Sequence, residues 1–437
     1  YTTPARGHLF PVVPILQELV TRGHTVAVRT LPEHVDELLA LGLGARPLAR
    51  EVVAITIDDW GARSPNEAQE RAMRAFGRRA PRDADDFRSA IKEEHPEVLL
   101  VDIMAFGALA EAEGSGLPWA SWLPYPAWLR GPGVPPYGPG LEPLTGAEGR
   151  ARDHAVAHLV EVPGRNLTAA VNAGRAAAGL RPLAQPDEVL LRPPLLLSLT
   201  AEPFEYPRPS WPGSFLLIGP CSWEPPTPPP GWLTEEGRPL VLVSTSSEFQ
   251  DDGRLIRTAF AALRDRDDLL VVATVPAGDP AEYAGPPNAR TERFIPHSHL
   301  LERAVAVVCH AGMGITQKAL AAGVPVCAVP FGRDQLEVAR RVEVAGAGVR
   351  LPASDLSAVS LRTAVERTVT CRAGAERIAK AFASAGGAVA AANAIEQLGA
   401  IPSSNPIGNA RGLDEVPDPD AGGVSARRRG HHYEGTH

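Results

Sequence analysis

The segment from Ala304 to Gln335 reads AVAVVCHAGMGITQKALAAGVPVCAVPFGRDQ, and its reading decides the fold class. Two apolar runs, Ala304 to Cys309 and Val326 to Val329, have the length of buried strands. Between them lies a helical stretch opened by His310-Ala311-Gly312-Met313-Gly314-Ile315-Thr316. Strand, helix, strand is one βαβ unit, the building block of a parallel α/β sheet. A strand that ends in a small-residue turn and opens a helix exposes unpaired N–H groups at the positive end of the helix dipole, which suits a phosphate. Asp334-Gln335 follow the second strand, and ligands of open α/β sheets sit beyond the carboxyl ends of strands. The segment therefore predicts a phosphate-bearing ligand whose other end lies near Asp334. A plain turn, with glycines for tightness alone, stays open as the alternative at this point.

Outward from this segment the same grammar recurs. Ala5-Arg6-Gly7-His8 leads into a helix with Val12, Val13, Leu16, Leu19 and Val20 on one face, then a strand from Thr25 to Arg29. Tyr1-Thr2-Thr3-Pro4 reads as the end of a strand whose apolar body is missing, so a truncated N-terminus is expected. Glu67 to Glu94, rich in Ala, Arg, Asp and Glu, predicts one or two solvated helices. Pro96 to Asp102 is a strand that ends in a carboxylate. Trp122 to Gly140, WLPYPAWLRGPGVPPYGPG, is dense in aromatic residues, Pro and Gly, and either lines an apolar pocket or forms a stiff surface loop. Prolines cluster between Ala201 and Arg238 and mark the main boundary, because repeated proline opposes both helix and central strand. The α/β pattern restarts at Pro239. These signals predict an N-terminal domain over 1–220, a linker over 221–238, a second domain over 239–385, a last helix over 386–400 and a disordered tail over 401–437.

The chain has 437 residues, room for two or three domains with their own cores. Its net charge of −8 gives no general attraction to nucleic acid or to an anionic membrane. No apolar run is expected to span a bilayer. The four cysteines, Cys221, Cys309, Cys327 and Cys371, are widely spaced and fit a reducing cytoplasm better than a disulfide frame or a metal site.

Taken together, GHxxP near the start, a strand-terminal Asp near residue 100, the mid-chain linker, HxGxG at 310–314 and DQ at 334–335 resemble the GT-B glycosyltransferases of family 1. The closest likeness is to bacterial enzymes that glycosylate macrolides and other polyketides. The resemblance implies two Rossmann-like α/β domains facing across a cleft, in a monomer or homodimer. The N-terminal domain binds a lipophilic small-molecule acceptor and the C-terminal one a nucleotide sugar, with inverting transfer and neither metal nor other cofactor. It makes His8 the general base and Asp102 its partner. An imidazole can take the proton of an acceptor hydroxyl near neutral pH, and a carboxylate on its far nitrogen fixes the tautomer.

For the donor, the resemblance implies a ring stacked on the base from Phe294 and a base or ribose contact from His297, with Ser244 and Ser247 in the first donor-side loop, near the diphosphate. The diphosphate falls to His310, Gly312, Gly314, Ile315 and Thr316, and the sugar hydroxyls to Asp334 and Gln335. For the acceptor, the aromatic loop offers Trp122, Tyr125, Trp128 and Tyr137. Three positions depart from the family pattern. Lys318 stands where a ribose-binding Glu is common, which leaves UDP against dTDP open; Ser246 replaces a glycine, and Ile315 a Ser or Thr. A sugar-nucleotide epimerase of the same fold is the nearer alternative. A Rossmann-type oxidoreductase is the more distant one, since Gln317 occupies the third position of the GxGxxG turn.

Overall fold

The structure is a computed structural model that describes residues 1–247, 250 and 252–400, so the predicted tail lies outside the described residues. The first half carries β1 (Ala27–Thr30), β2 (Gly44–Pro47), β3 (Leu99–Asp102), β4 (Trp119–Leu123), β5 (Leu195–Ser198) and β6 (Phe215–Leu217). The second carries β7 (Leu240–Ser244), β8 (Leu270–Thr274), β9 (Ala289–Glu292), β10 (Ala304–Cys309), β11 (Val326–Ala328) and β12 (Gly348–Arg350). Every strand pair is parallel, as βαβ connections require.

In the first half β1 pairs with β2, while β3 to β6 pair in sequence order. Tyr1 to Thr3 bridge the two groups. The Thr2 amide donates to the Arg29 carbonyl (3.1 Å), and the Tyr1 carbonyl accepts from the Asp102 amide (3.0 Å). The chain thus builds outward from Tyr1–Thr3 first on one side, through β1, and then on the other, through β3. The second half repeats the plan in the order β12-β11-β10-β7-β8-β9. Each sheet therefore has a point where strand order reverses, and that point opens a crevice at the carboxyl ends of the strands. It lies beside Thr3 and Asp102 in one half, and beside Ser244 and Cys309, which are register partners, in the other.

Both faces of these sheets are covered. In β7, Leu240 and Leu242 feed one apolar cluster while Val241 and Val243 feed the one on the opposite face. A strand buried on both faces reads as an unbroken apolar run, which is why β7 and β10 were plain in the sequence.

Two expectations need correction. Pro65–Glu94 is one continuous helix, and it is not merely solvated: Phe76, Ala80, Ala84 and Phe87 are buried, as are Arg79 and Asp83. Alanine spacing lets it sit close against helices Phe106–Gly114 and His158–Ala177. Arg79 donates to the Thr3 hydroxyl (3.2 Å) and to the Ile55 carbonyl (2.5 Å). Secondly, Arg372–Gly399 is apolar and long enough to cross a membrane by length and composition. It is broken at Gly386, whose φ is 87°, into helices Arg372–Ser384 and Gly387–Gly399. Ile378 and Phe382 join the core of the second half, and Ala391, Ala392 and Ile395 that of the first.

The chain crosses between the halves twice, after β6 and again at Ala385–Gly387. The crossings are neighbours, since the Gly387 amide donates to the Ile218 carbonyl at 2.8 Å. Helix Gly387–Gly399 then returns to pack on helix Arg6–Thr21, where Arg22 donates to Glu396 and Asn393 at 2.7 Å each.

Candidate active site in the cleft between the sheets

The carboxyl ends of both sheets line one cleft of about 2720 Å³. On its N-terminal side, helix Arg6–Thr21 begins just after Tyr1–Thr3 and brings His8 to the surface of the cleft, beside the end of β3. His8 Nδ1 lies 3.0 Å from Asp102 Oδ1. Asp102 is fully buried, and its carboxylate also accepts from the Thr3 amide (3.1 Å) and the Met104 amide (2.9 Å). These amides hold the carboxylate in place, and the carboxylate holds the imidazole through Nδ1, leaving Nε2 as the ring nitrogen that Asp102 does not engage. The Tyr125 ring meets the His8 ring edge-on at 5.5 Å and stacks with Trp128 at 5.9 Å and 20°. An apolar, flat-sided platform therefore adjoins the imidazole.

The donor-side turn follows β10. Ala311 has φ +64°, and helix Met313–Ala321 begins with Gly312 as its N-cap. The Thr316 amide is bonded to the Gly312 carbonyl (3.1 Å), so the amides of Met313, Gly314 and Ile315 are the ones at the open helix end. His310 is buried under this turn, with Nδ1 at 3.5 Å from the Ser244 carbonyl and 4.0 Å from Asp252. Burial pushes its pKa down, against the pull of Asp252. Ser244, Ser247, Phe294 and His297 line the same part of the cleft. Phe294 is exposed. His297 bonds Thr274 Oγ1 at 3.1 Å, and burial, then Lys318, hold its pKa down to about 4.

Asp334 and Gln335 open helix Gln335–Val344 on the far side of the turn. Burial raises the pKa of Asp334, opposed by a backbone hydrogen bond, by Arg333 beside it and by His8 from the first half. Gln335 lines the cleft as well, but its Oε1 accepts from the Phe331 amide (2.7 Å) and the Gly332 amide (3.1 Å). Its Nε2 donates to Gln250 (2.6 Å). Gln335 thus shapes the loop that presents Asp334.

Two expected contacts are not where the sequence put them. Trp122 is buried in the core and absent from the cleft, because β4 lies between β3 and β5 with both faces covered. Its indole N–H donates to the His8 carbonyl at 3.2 Å, so it steadies the backbone of His8 from behind. Thr316 is fully buried with its hydroxyl toward Cys309 Sγ (3.8 Å), away from the cleft. Tyr125, Trp128 and Tyr137 do line it.

Sequence reasoning passed over the residues that tie the two halves together around this site. Arg333 forms a two-pronged pair with Asp59 of the first half, at 2.7 and 2.8 Å. Glu337 Oε1 accepts from the amides of Gly138 (2.7 Å) and Gly140 (2.9 Å) in the aromatic loop. Arg341, fully buried, joins Glu337 (2.9 Å) to Glu205 (2.7 Å) and lies over the Tyr206 ring at 4.1 Å. Glu224 of the proline-rich linker meets Lys318 at 2.8 Å and accepts from the His297 and Ser298 amides. The linker glutamate thus reaches the helix position where the family pattern has its own. Arg333 and Glu337 flank the Asp334-Gln335 pair, a signal in hindsight, whereas nothing in the proline run distinguishes Glu224. Among the described residues no three His, Cys, Asp or Glu side chains gather as a metal site.

Comparison with known proteins agrees with this geometry. Residues 258–398 match the C-terminal domain of the erythromycin biosynthesis protein CIII-like family. The chain is 32% identical over 422 residues to 4'-demethylrebeccamycin synthase of Lentzea aerocolonigenes, covering 91% of this chain and 98% of that protein. It is 26% identical to demethyllactenocin mycarosyltransferase of Streptomyces fradiae, over 91% of this chain and 85% of the relative. Among solved structures, the glycotransferase of kitacinnamycin superposes with a TM-score of 0.69 at 23% identity, covering 91% of this chain and 97% of the other, and so shares the fold. The chain belongs to the natural-product glycosyltransferases of the GT-B fold.

Proposed function

We propose that this glycosyltransferase moves a hexose or deoxyhexose from a UDP or dTDP sugar to a hydroxyl of a lipophilic natural product, such as a macrolide or other polyketide. The transfer proceeds with inversion and without a metal, and we place it in the cytoplasm, which suits four free cysteines. The observation that carries the reading is the His8–Asp102 pair at 3.0 Å, facing the cleft opposite the 310–315 turn and Asp334. His8 Nε2 takes the acceptor proton while the acceptor oxygen bonds the anomeric carbon from the face opposite the departing diphosphate. Asp102 stabilises the imidazolium that forms. Negative charge then grows on the leaving nucleoside diphosphate, where the Met313 to Ile315 amides, the helix dipole and His310 receive it.

The platform of Tyr125 and Trp128 beside His8 supports an acceptor with a flat apolar face. The names of the two relatives support a natural-product acceptor in general. Replacing His8 with Ala is expected to lower kcat by a factor of about 10² to 10⁴ while donor affinity stays within about twofold. Turnover is read by mass spectrometry over UDP and dTDP sugars with macrocyclic and aromatic acceptors. Unchanged turnover in the variant would remove His8 as the base.

A further inference from the structure

Tyr137 belongs to the aromatic loop of the first half, yet the residues that anchor the loop beside it come from the second. The amides on its C-terminal side, Gly138 and Gly140, both bind Glu337 Oε1. Glu337 lies in the first turn of the helix that Asp334 opens, and its own amide donates to the Asp334 carbonyl at 3.0 Å. Gly140 packs so closely that a Cβ there would stand 2.4 Å from the Leu336 carbonyl oxygen. Arg340 adds a bond to the Gly140 carbonyl at 2.9 Å. The loop is therefore bolted to the helix at the Asp334 end, and Tyr137 is carried to that end of the cleft.

The chemistry around Tyr137 is polar. Asp334, Glu337, Arg341 and Glu205 all act electrostatically on its phenol, and burial first, then these carboxylates, keep the hydroxyl protonated. Its hydroxyl makes no hydrogen bond with another described residue, although the ring is half-buried. The Tyr125 ring adjoins His8 and stacks on Trp128, and its phenol feels Asp102 before Tyr137 and Asp334, whereas for Tyr137 the first charge felt is Asp334.

We infer that Tyr137 is a specificity-determining residue for the transferred sugar, its hydroxyl and the Asp334 carboxylate together reading a ring hydroxyl of the hexose. A carboxylate only accepts, whereas a phenol also donates, so the pair can satisfy both the proton and a lone pair of one sugar hydroxyl. A site built in this way discriminates strongly against an analogue that lacks the hydroxyl, because a buried polar group is then left unpaired. This inference rests on the donor-sugar role proposed for Asp334.

The test is Tyr137→Phe in the full chain, with the fold checked by thermal melting. Two quantities are read: kcat/KM for nucleotide hexoses that differ by single hydroxyls, with one fixed acceptor, and the affinities for the nucleotide sugar and for the bare nucleoside diphosphate. The variant is expected to lose discrimination at one ring position by about tenfold or more. It should bind the nucleotide sugar more weakly and the bare nucleotide unchanged, with acceptor KM within about twofold. An unaltered sugar preference, or a raised acceptor KM with that preference intact, overturns the inference. Equal weakening of nucleotide and nucleotide sugar overturns it too. Failure of the underlying reading is visible separately, as an unmutated chain that transfers no sugar or an Asp334→Asn variant with unchanged sugar preference.

Discussion

Gly312 has no side chain, and the His310 ring occupies the room that one would need. A Cβ at 312 would stand 2.2 Å from His310 Nε2, so Gly312→Ala must displace the imidazole from the place proposed to hold the diphosphate. Donor KM is expected to rise about tenfold with acceptor KM unchanged, measured by initial rates in which each substrate is varied in turn. A rise in acceptor KM alone would contradict the placing of His310. At this scale the sequence was informative where chemistry constrains residue type. His8, His310 and Asp334 line the cleft, with Asp102 bonded behind His8, at the positions the family resemblance gave them. The sequence misled where only the direction of a side chain decides. Trp122 and Tyr125 are three residues apart in one aromatic run, yet the first is the last pleat but one of a covered strand, and the second lies beyond the strand in the cleft. Thr316 failed likewise, since its place on the helix turns it toward Cys309.

Elements were legible in proportion to their burial. The strands β7, β8 and β10 are apolar up to the terminal Ser244 and Thr274 of the first two because both sheet faces are covered, and their apolar runs were plain. The edge strand β9, with the sequence ARTE, carries no such signal. The helix Pro65–Glu94 was misjudged because half of its buried residues are alanine, whose small side chains look neutral in a charge-rich segment, and two more are Arg79 and Asp83. The aromatic loop shows what an irregular element needs in order to be a dependable part of a site. Gly140 has φ +63° and touches the Leu336 carbonyl, so Gly140→Ala combines left-handed strain with a backbone clash. That variant is expected to lose about 1 to 3 kcal/mol of stability by denaturant titration. It should also blur sugar preference with Tyr137 itself intact. Preserved preference would show that the loop does not need its anchor on Glu337.

At the scale of the whole molecule, the halves are held by ties that no local pattern announces, because each joins residues far apart in the chain. The Glu224–Lys318 pair fastens the linker to the second half. Burial alone would raise the pKa of Glu224, but Lys318 and the His297 and Ser298 amides outweigh it and hold the carboxyl down to about 2. A carboxyl whose pKa is depressed on folding contributes stability above its unfolded value and loses it as pH falls toward the folded one. The melting temperature is therefore expected to fall more steeply in the parent than in Glu224→Gln as pH drops from about 4.5 to about 2. Parallel curves would show that the pair contributes nothing. The two crossings between the halves have a mechanical meaning of their own. Bonded to each other at Ile218 and Gly387, they meet at one place in the fold, so the covalent links between the halves are gathered at a single point. Any separation of the halves has to part the Asp59–Arg333, Glu337–Gly138 and Glu205–Arg341 bonds, of which the last is fully buried.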